Sequence, residues 1–169
     1  MEGLNHPLEK SQSPKLFNST TEVGMRILFV LDAFHPRRLD LQTLSIYDYF
    51  VVHTGDIEGP ISLHAPLQSR SGEYLVRRKA IQNAIAFLRR NHLIMMINND
   101  AGQVYEITED ASALINVVST EYHKKIQECA SWLEMKSKCD SEHSFERNLS
   151  KLLANWNTVL GLKEEFSGD

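Results

Sequence analysis

The stretch from residue 22 to 34 constrains the fold most, because it is apolar on nearly every side. Thr20 or Thr21 can cap a helix at its start, and Pro36 stops the helix soon after its end. Residues 27–31 within it are all apolar. A helix without a polar face must be covered on several sides, so this segment predicts a central helix surrounded by other elements.

Hydrophobic spacing predicts the elements that follow this central helix. Two further helices cover about 39–52 and 73–91, and a hairpin follows with strands at 93–97 and 104–107. The turn at Asn98–Gly102 is typical of such a hairpin. We therefore predict a mainly α protein with a small β-hairpin, in the helix, helix, helix, hairpin order of a winged helix-turn-helix.

The remainder of the chain predicts appendages to this core. Thr108 is a good start for a short helix, and two longer helices then cover about 120–138 and 142–160. We expect an extended arm at 1–21, a winged helix-turn-helix domain at 22–119 with an inserted loop at 53–72, and a C-terminal helical extension at 120–169.

Positive charge is concentrated in one segment, although the chain has a formal net charge of −4. Residues 70–92 hold six basic residues and one acidic residue. On a helix, residues eleven apart return to nearly the same face, so Arg78 aligns with Arg89. The same spacing aligns Lys79 with Arg90. The segment predicts a basic ridge that faces DNA or a partner protein, formed by Arg70, Arg77, Arg78, Lys79, Gln82, Arg89 and Arg90.

The hairpin bears on which partner the ridge meets. Its tip carries Asn98, Asn99 and Asp100 and no lysine or arginine. A wing that contacts DNA normally adds positive charge for the phosphates, so this tip favours an acidic protein over DNA. An ordinary solvated helix face is the remaining interpretation of the ridge.

The loop at 53–72 is long for a small domain, and such loops are commonly functional. It contains His53, Asp56, Glu58 and His64, side chains that ligate transition metals or perform acid–base chemistry. Their spacing matches no metal motif. The alternative is a turn-rich loop whose polar side chains bind its own backbone.

The last helix carries a stripe of large apolar residues at coiled-coil-like spacing. The stripe either packs against the rest of the domain or docks into another chain. The docking interpretation involves Phe145, Leu149, Leu152, Leu153, Trp156 and Leu160.

Several protein classes are poor matches to this chain. Its two cysteines form neither a disulfide framework nor a metal knuckle, which favours the cytoplasm. Its longest apolar run is far too short for a membrane span, and residues 1–10 lack the order of a signal peptide. No nucleophile elbow, phosphate-binding glycine loop or zinc-finger spacing occurs, so we expect no catalytic residues, metal or cofactor on this chain.

Four segments in a fixed order resemble a known family. They read P-R-R-L-D-L-Q at 36–42, Y-D-Y-F-V-V-H-T-G-D at 47–56, G-P-I-S-L-H at 59–64 and R-S-G-E-Y-L-V-R-R at 70–78. The chain is similar, over roughly 25–135, to the middle component of bacterial ABC-three-component systems. The arm and the last helix lie outside this resemblance.

The resemblance implies a small winged-helix adaptor without activity of its own. Such proteins are encoded between an SMC-like ATPase of the ABC class and a third component, often an effector nuclease. These systems, Lamassu among them, defend bacteria against phage and sometimes plasmids. ATP and magnesium are then expected on the partner ATPase, and DNA is met through the complex. The resemblance also implies a shared docking surface that includes Arg37, Arg38, Asp40, His53, Asp56, Glu58 and His64.

The sequence thus favours a non-enzymatic adaptor that links a DNA-sensing SMC-like ATPase to an effector nuclease. The first alternative is a stand-alone winged-helix transcription regulator, which would form a homodimer on a specific operator. The second alternative is a metal-dependent hydrolase that uses the loop histidines.

Overall fold

A computed structural model describes residues 19–65, 70–100, 102–118 and 120–165, with the backbone alone for 70–76, 142–143 and 156–165. Six α-helices and three strands lie within these ranges. They are α1 (Thr20–Phe34), β1 (Leu39–Asp40), α2 (Leu41–Phe50), α3 (Arg70–Arg90), β2 (Ile94–Asn99), β3 (Gly102–Ile107), α4 (Glu109–Val117), α5 (Glu121–Cys139) and α6 (Glu142–Glu165). A short 3₁₀ turn, Thr54–Ile57, follows α2.

Helix α1 is the centre of the molecule, as its apolar sequence predicts. It packs against α2, α3, α4, α5 and β3. Ser19 is its N-terminal cap, since the Ser19 Oγ accepts a hydrogen bond from the Glu22 amide at 3.2 Å. The cap therefore lies just before the predicted threonines, and the burial of α1 on several sides is confirmed.

The sheet has three antiparallel strands in the order β1-β3-β2. The predicted hairpin is present, with Ile94 opposite Ile107 at its base and Asn99 opposite Gly102 at its tip. Gly102 has a φ of 121°, a conformation that glycine adopts without strain. Strand β1 was not predicted, because two residues are too few to show an alternating pattern. The mainly helical fold with a small antiparallel sheet is confirmed.

Helices α5 and α6 share one hydrophobic core with α1, α2 and α3. Helix α5 contributes Ile126, Cys129, Ala130 and Leu133, each at most 2% exposed, to the same cluster that contains the α1 side chains. Helix α6 contacts α2, α3 and α5. Helix α5 and the described part of α6 therefore pack against the helices that precede them.

Candidate functional site

The predicted basic ridge divides at Arg77, whose side chain points into the protein. Arg77 is 2% exposed, and its Nη1 donates to the Asp48 carboxylate at 3.0 Å and to the Asp48 backbone carbonyl at 3.1 Å. Its guanidinium also lies 5.5 Å from the centre of the Tyr49 ring. The prediction that Arg77 faces a partner is wrong, because a side chain buried in this way cannot reach one.

Asp48 joins Arg77 to a second buried arginine. The Arg26 Nε donates to the Asp48 Oδ1 at 2.7 Å, and its Nη2 donates to Oδ2 at 3.3 Å. Burial opposes ionisation of Asp48, but the two guanidinium groups outweigh it and hold the pKa of the carboxyl below its ordinary value. Two cations therefore share one anion in the space between α1, α2 and α3.

The loop after α2 places two of its polar side chains against Tyr49, whose ring also contacts Arg77. His53 is 1% exposed, and its ring lies 4.6 Å from that of Tyr49. The Tyr49 hydroxyl donates to the Asp56 carboxylate at 3.3 Å. The predicted partner-docking role of His53 is wrong, since the side chain is enclosed, and Asp56 holds the loop to α2.

The far end of the same loop is attached to α5. The His64 Nε2 and the Tyr122 hydroxyl share a hydrogen bond of 2.9 Å, and burial raises the pKa of Tyr122 to about 12. A Cβ at Gly59 would lie 2.7 Å from the Trp132 ring, so only glycine fits between the loop and this side chain. Of the four polar loop residues, Glu58 alone is exposed.

We call Arg26, Asp48, Arg77 and the polar residues of the 53–64 loop the inner polar network. Arg26, Asp48 and Arg77 pair with one another, and Asp56 and His64 of the loop bond to Tyr49 of α2 and Tyr122 of α5. Among the residues that the structure describes, no group of three or more His, Cys, Asp or Glu side chains is placed to hold a metal ion.

The three residues predicted beside the loop hold elements together. Arg37 forms an ion pair with Glu146 of α6, and the Tyr47 hydroxyl donates to the same carboxylate at 3.0 Å. Arg38 pairs with Glu106 of β3 at 2.7 Å. Asp40 caps α2 by accepting a hydrogen bond from the Thr43 amide at 2.7 Å. Each of the three therefore has an evident structural role.

The apolar stripe of α6 packs inward over the part whose side chains the structure describes. Phe145, Leu149 and Leu153 are each at most 5% exposed, and Leu152 is partly buried against the same core. The prediction that these residues dock a partner is wrong, because they close the protein's own core. Trp156 and Leu160 lie outside the described side chains.

The rest of the ridge remains at the surface. Arg78, Lys79, Gln82, Arg89 and Arg90 are all exposed, and we call them the outer cationic face of α3. Within the described side chains, none of the four cations forms a salt bridge. Arg70 lies outside the described side chains. Arg89 and Arg90 also occupy the last turn of α3, where a positive charge stabilises the helix dipole.

A groove of about 880 Å³ lies beside the outer cationic face, between α3 and β2. Among the described residues, no acidic side chain lines it, and its walls combine two cations with apolar residues of the strand. Its lining residues are Thr20, Asn83, Ala86, Arg89, Arg90, Ile94, Met95, Met96 and Ile97. This groove and the outer cationic face form the candidate binding site.

Two features of these sites were missed in the sequence. Arg26 and Asp48 each stand alone as a charge among apolar neighbours, and that isolation is the signal for a buried ion pair. Met95 alternates with buried Ile94 in β2 and is 49% exposed, a position normally held by a polar residue. The sequence alone does not show this exposure, because it depends on which face of β2 turns to solvent.

Comparison with protein families identifies the chain. The family model described as ABC-three component (ABC-3C) system Middle Component 2 matches residues 16–158. The protein therefore belongs to this family, and a middle component implies partner proteins within a multi-component system. Searches of curated proteins and of solved structures found no match.

The family match extends beyond the resemblance seen in the sequence. It begins at residue 16 and ends at 158, so it also includes most of α6, which lies beyond the four segments that carry the resemblance. This agrees with the packing of α6 into the common core.

In the described residues, no helix is both long enough and apolar enough to cross a membrane.

Proposed function

We propose that this protein is a non-enzymatic adaptor in a bacterial defence complex against phage and plasmids. In this complex it links an SMC-like ATPase of the ABC class to an effector nuclease. The observation that carries the proposal is the family match over residues 16–158. ATP and magnesium would bind the ATPase rather than this chain, and the complex would act on DNA in the cytoplasm.

We also propose that the core is a winged helix-turn-helix. Three helices precede the hairpin, and β1 pairs with β3 in the sheet order β1-β3-β2. In this arrangement α3 is the outward-facing helix, and the β2–β3 hairpin is the wing. The outer cationic face then meets the ATPase or the DNA that the ATPase holds, and detection of DNA is transmitted through this subunit to the nuclease.

A phage-protection assay tests this role. The Arg78→Glu/Lys79→Glu variant reverses two exposed charges and should abolish protection while the protein accumulates at its normal level. The Lys124→Glu/Lys125→Glu variant makes the same change in charge on α5, where both side chains are also exposed, and should protect normally. Full protection by a stably expressed Arg78→Glu/Lys79→Glu variant would contradict the proposed role.

A stand-alone transcription regulator is the second candidate, favoured by the exposed cations on α3 beside a hairpin. It requires a homodimer that leaves a footprint on a specific operator. A protein that stays monomeric at micromolar concentration and protects no operator counts against this candidate. Arg77 is not part of either test, because its buried ion pair makes any substitution a test of folding.

A further inference from the structure

The side chains that line the groove between α3 and β2 indicate which kind of partner the groove binds. We propose that it binds an acidic amphipathic helix of a partner subunit rather than DNA. The inference rests on the proposed adaptor function and assigns a partner chemistry to one surface of it. It follows from the apolar floor, the cationic rim and the small residue between them.

The floor of the groove is apolar and partly exposed. Met95 is 49% exposed, and Met96 and Ile97 are partly buried beside it. Methionine side chains are flexible and polarisable, and they adapt to the apolar face of a bound helix.

The rim of the groove is positive. Arg89 and Arg90 lie along it, and neither forms a salt bridge within the described side chains. Arg78 and Lys79 lie eleven residues earlier on the same helix, about 16 Å away along its axis at 1.5 Å per residue. Gln82, Asn83 and Ala86 lie between these two pairs of cations on α3. The two pairs complement carboxylates about three turns apart on a bound helix, beside its apolar stripe.

Ala86 lies between the two cationic ends, on the wall of the groove. Its exposed methyl group leaves room for another backbone to approach α3 closely. A helix laid along α3 at this point would place apolar side chains on Met95 and carboxylates on Arg89. The wall, the floor and the rim therefore suit one occupant.

DNA suits the same surface less well. Interfaces with DNA are more polar and much more positively charged than interfaces between proteins. The hairpin tip beside this groove carries Asn98, Asn99 and Asp100 and no cation. The hairpin tip therefore adds no positive charge for the phosphates of a duplex placed against α3.

A titration with synthetic probes tests the inference. The acidic probe is a helical peptide of about four turns, with leucines at i, i+3, i+4 and i+7 and glutamates on both flanks. The matched control replaces every glutamate with lysine, and a duplex of about 20 base pairs of arbitrary sequence serves as the DNA probe. The readout is the methyl NMR signal of each methionine in the full chain.

The acidic peptide should shift Met95 and Met96 and leave Met135 unchanged, since Met135 is 53% exposed on α5 and provides a matched control. The lysine peptide and the DNA should not shift Met95. Arg89→Glu/Arg90→Glu should weaken binding of the acidic peptide by at least about tenfold, and Lys124→Glu/Lys125→Glu should leave it within about twofold.

Ala86→Tyr separates the two classes of partner, because it fills the groove and keeps every cation. It should weaken the acidic peptide by about tenfold and leave any DNA contact unchanged. Binding of DNA at Met95, or no binding of the acidic peptide, overturns the inference. Failure of the adaptor function is a different result, in which no ATPase co-purifies although the acidic peptide still binds.

Discussion

The inner polar network and the outer cationic face contain similar residues and use them in opposite ways. Arg77 and Arg78 are neighbours in the sequence, yet Arg77 is enclosed with Asp48 and Arg78 ends in solvent. Arg26, Asp48 and Arg77 of the inner network pair with one another inside the protein, so these interactions stabilise the fold. The cations of the outer face are exposed and form no salt bridge within the described side chains.

The largest effect is expected from removing the Asp48 carboxylate, which lies at the centre of the inner polar network. Asp48→Ala leaves the buried guanidinium groups of Arg26 and Arg77 without their anion, and should lower the free energy of unfolding by about 3–5 kcal/mol. Chemical denaturation followed by circular dichroism measures this change. Arg78→Ala, one residue from Arg77, should change it by less than about 0.5 kcal/mol. Equal effects of the two substitutions on the free energy of unfolding would contradict the distinction between the inner polar network and the outer cationic face.

The lowered pKa of Asp48 predicts that the stability of the protein depends on pH in the acid range. The folded-state pKa of Asp48 is lowered from its ordinary value of 3.8, so its contribution to stability is complete above that pH. The contribution is lost as the pH falls through the lower folded-state pKa. Asp48→Asn removes this titration, and its unfolding free energy should depend less on pH below about 4 than that of the wild type. Parallel profiles for the two proteins would show that Asp48 is not held ionised.

A smaller effect is expected where the loop crosses α5. Gly59→Ala places a methyl group 2.7 Å from Trp132 and 2.9 Å from the Thr54 carbonyl oxygen, so either the loop or the ring must move. We expect a loss of about 1–3 kcal/mol in thermal or chemical unfolding. Ile61→Ala is the control in the same loop, because Ile61 is 91% exposed, and it should leave stability unchanged.

The hydrogen bond between the loop and α5 should contribute less to the free energy of unfolding than the close contact at Gly59. Tyr122→Phe removes the hydroxyl that meets the His64 Nε2 and should cost about 0.5–1.5 kcal/mol. Hydrogen exchange of the amides at 59–64 should increase in this variant, whereas exchange in β2 should not. Unaltered exchange in the loop would mean that the contact does not hold it in place.

The smallest effect on stability is expected on the outer face. Arg78→Glu/Lys79→Glu should change the free energy of unfolding by less than about 0.5 kcal/mol, because both side chains are exposed. Its melting temperature should therefore match that of the wild type. A clear loss of stability would show that these cations also support the fold and would weaken any binding interpretation.

Elements with a strong periodic pattern were predictable from the sequence. The central helix α1 and the turn between β2 and β3 are each determined by residues that are neighbours in the sequence. The helical fold and the hairpin were therefore both predicted. Strand β1 exists only because Leu39 pairs with Tyr105, a contact between distant residues that no local pattern reveals.

The candidate site was predictable only in part. Spacing on α3 aligned Arg78 with Arg89, and both are exposed as expected. The same spacing could not separate Arg77, because its burial depends on the position of Asp48 in another helix. The docking interpretation of Phe145 failed for a similar reason, since an apolar helical stripe looks the same whether it covers its own core or another protein.

Co-expression of the tagged chain with the genes encoded beside it, followed by native mass spectrometry, tests the central claim most directly. We predict a stable complex that contains this chain, an ABC-class ATPase and the third component, and that loses this chain when Arg89 and Arg90 are both changed to glutamate. Recovery of the chain alone, as a homodimer bound to DNA, would contradict the adaptor function.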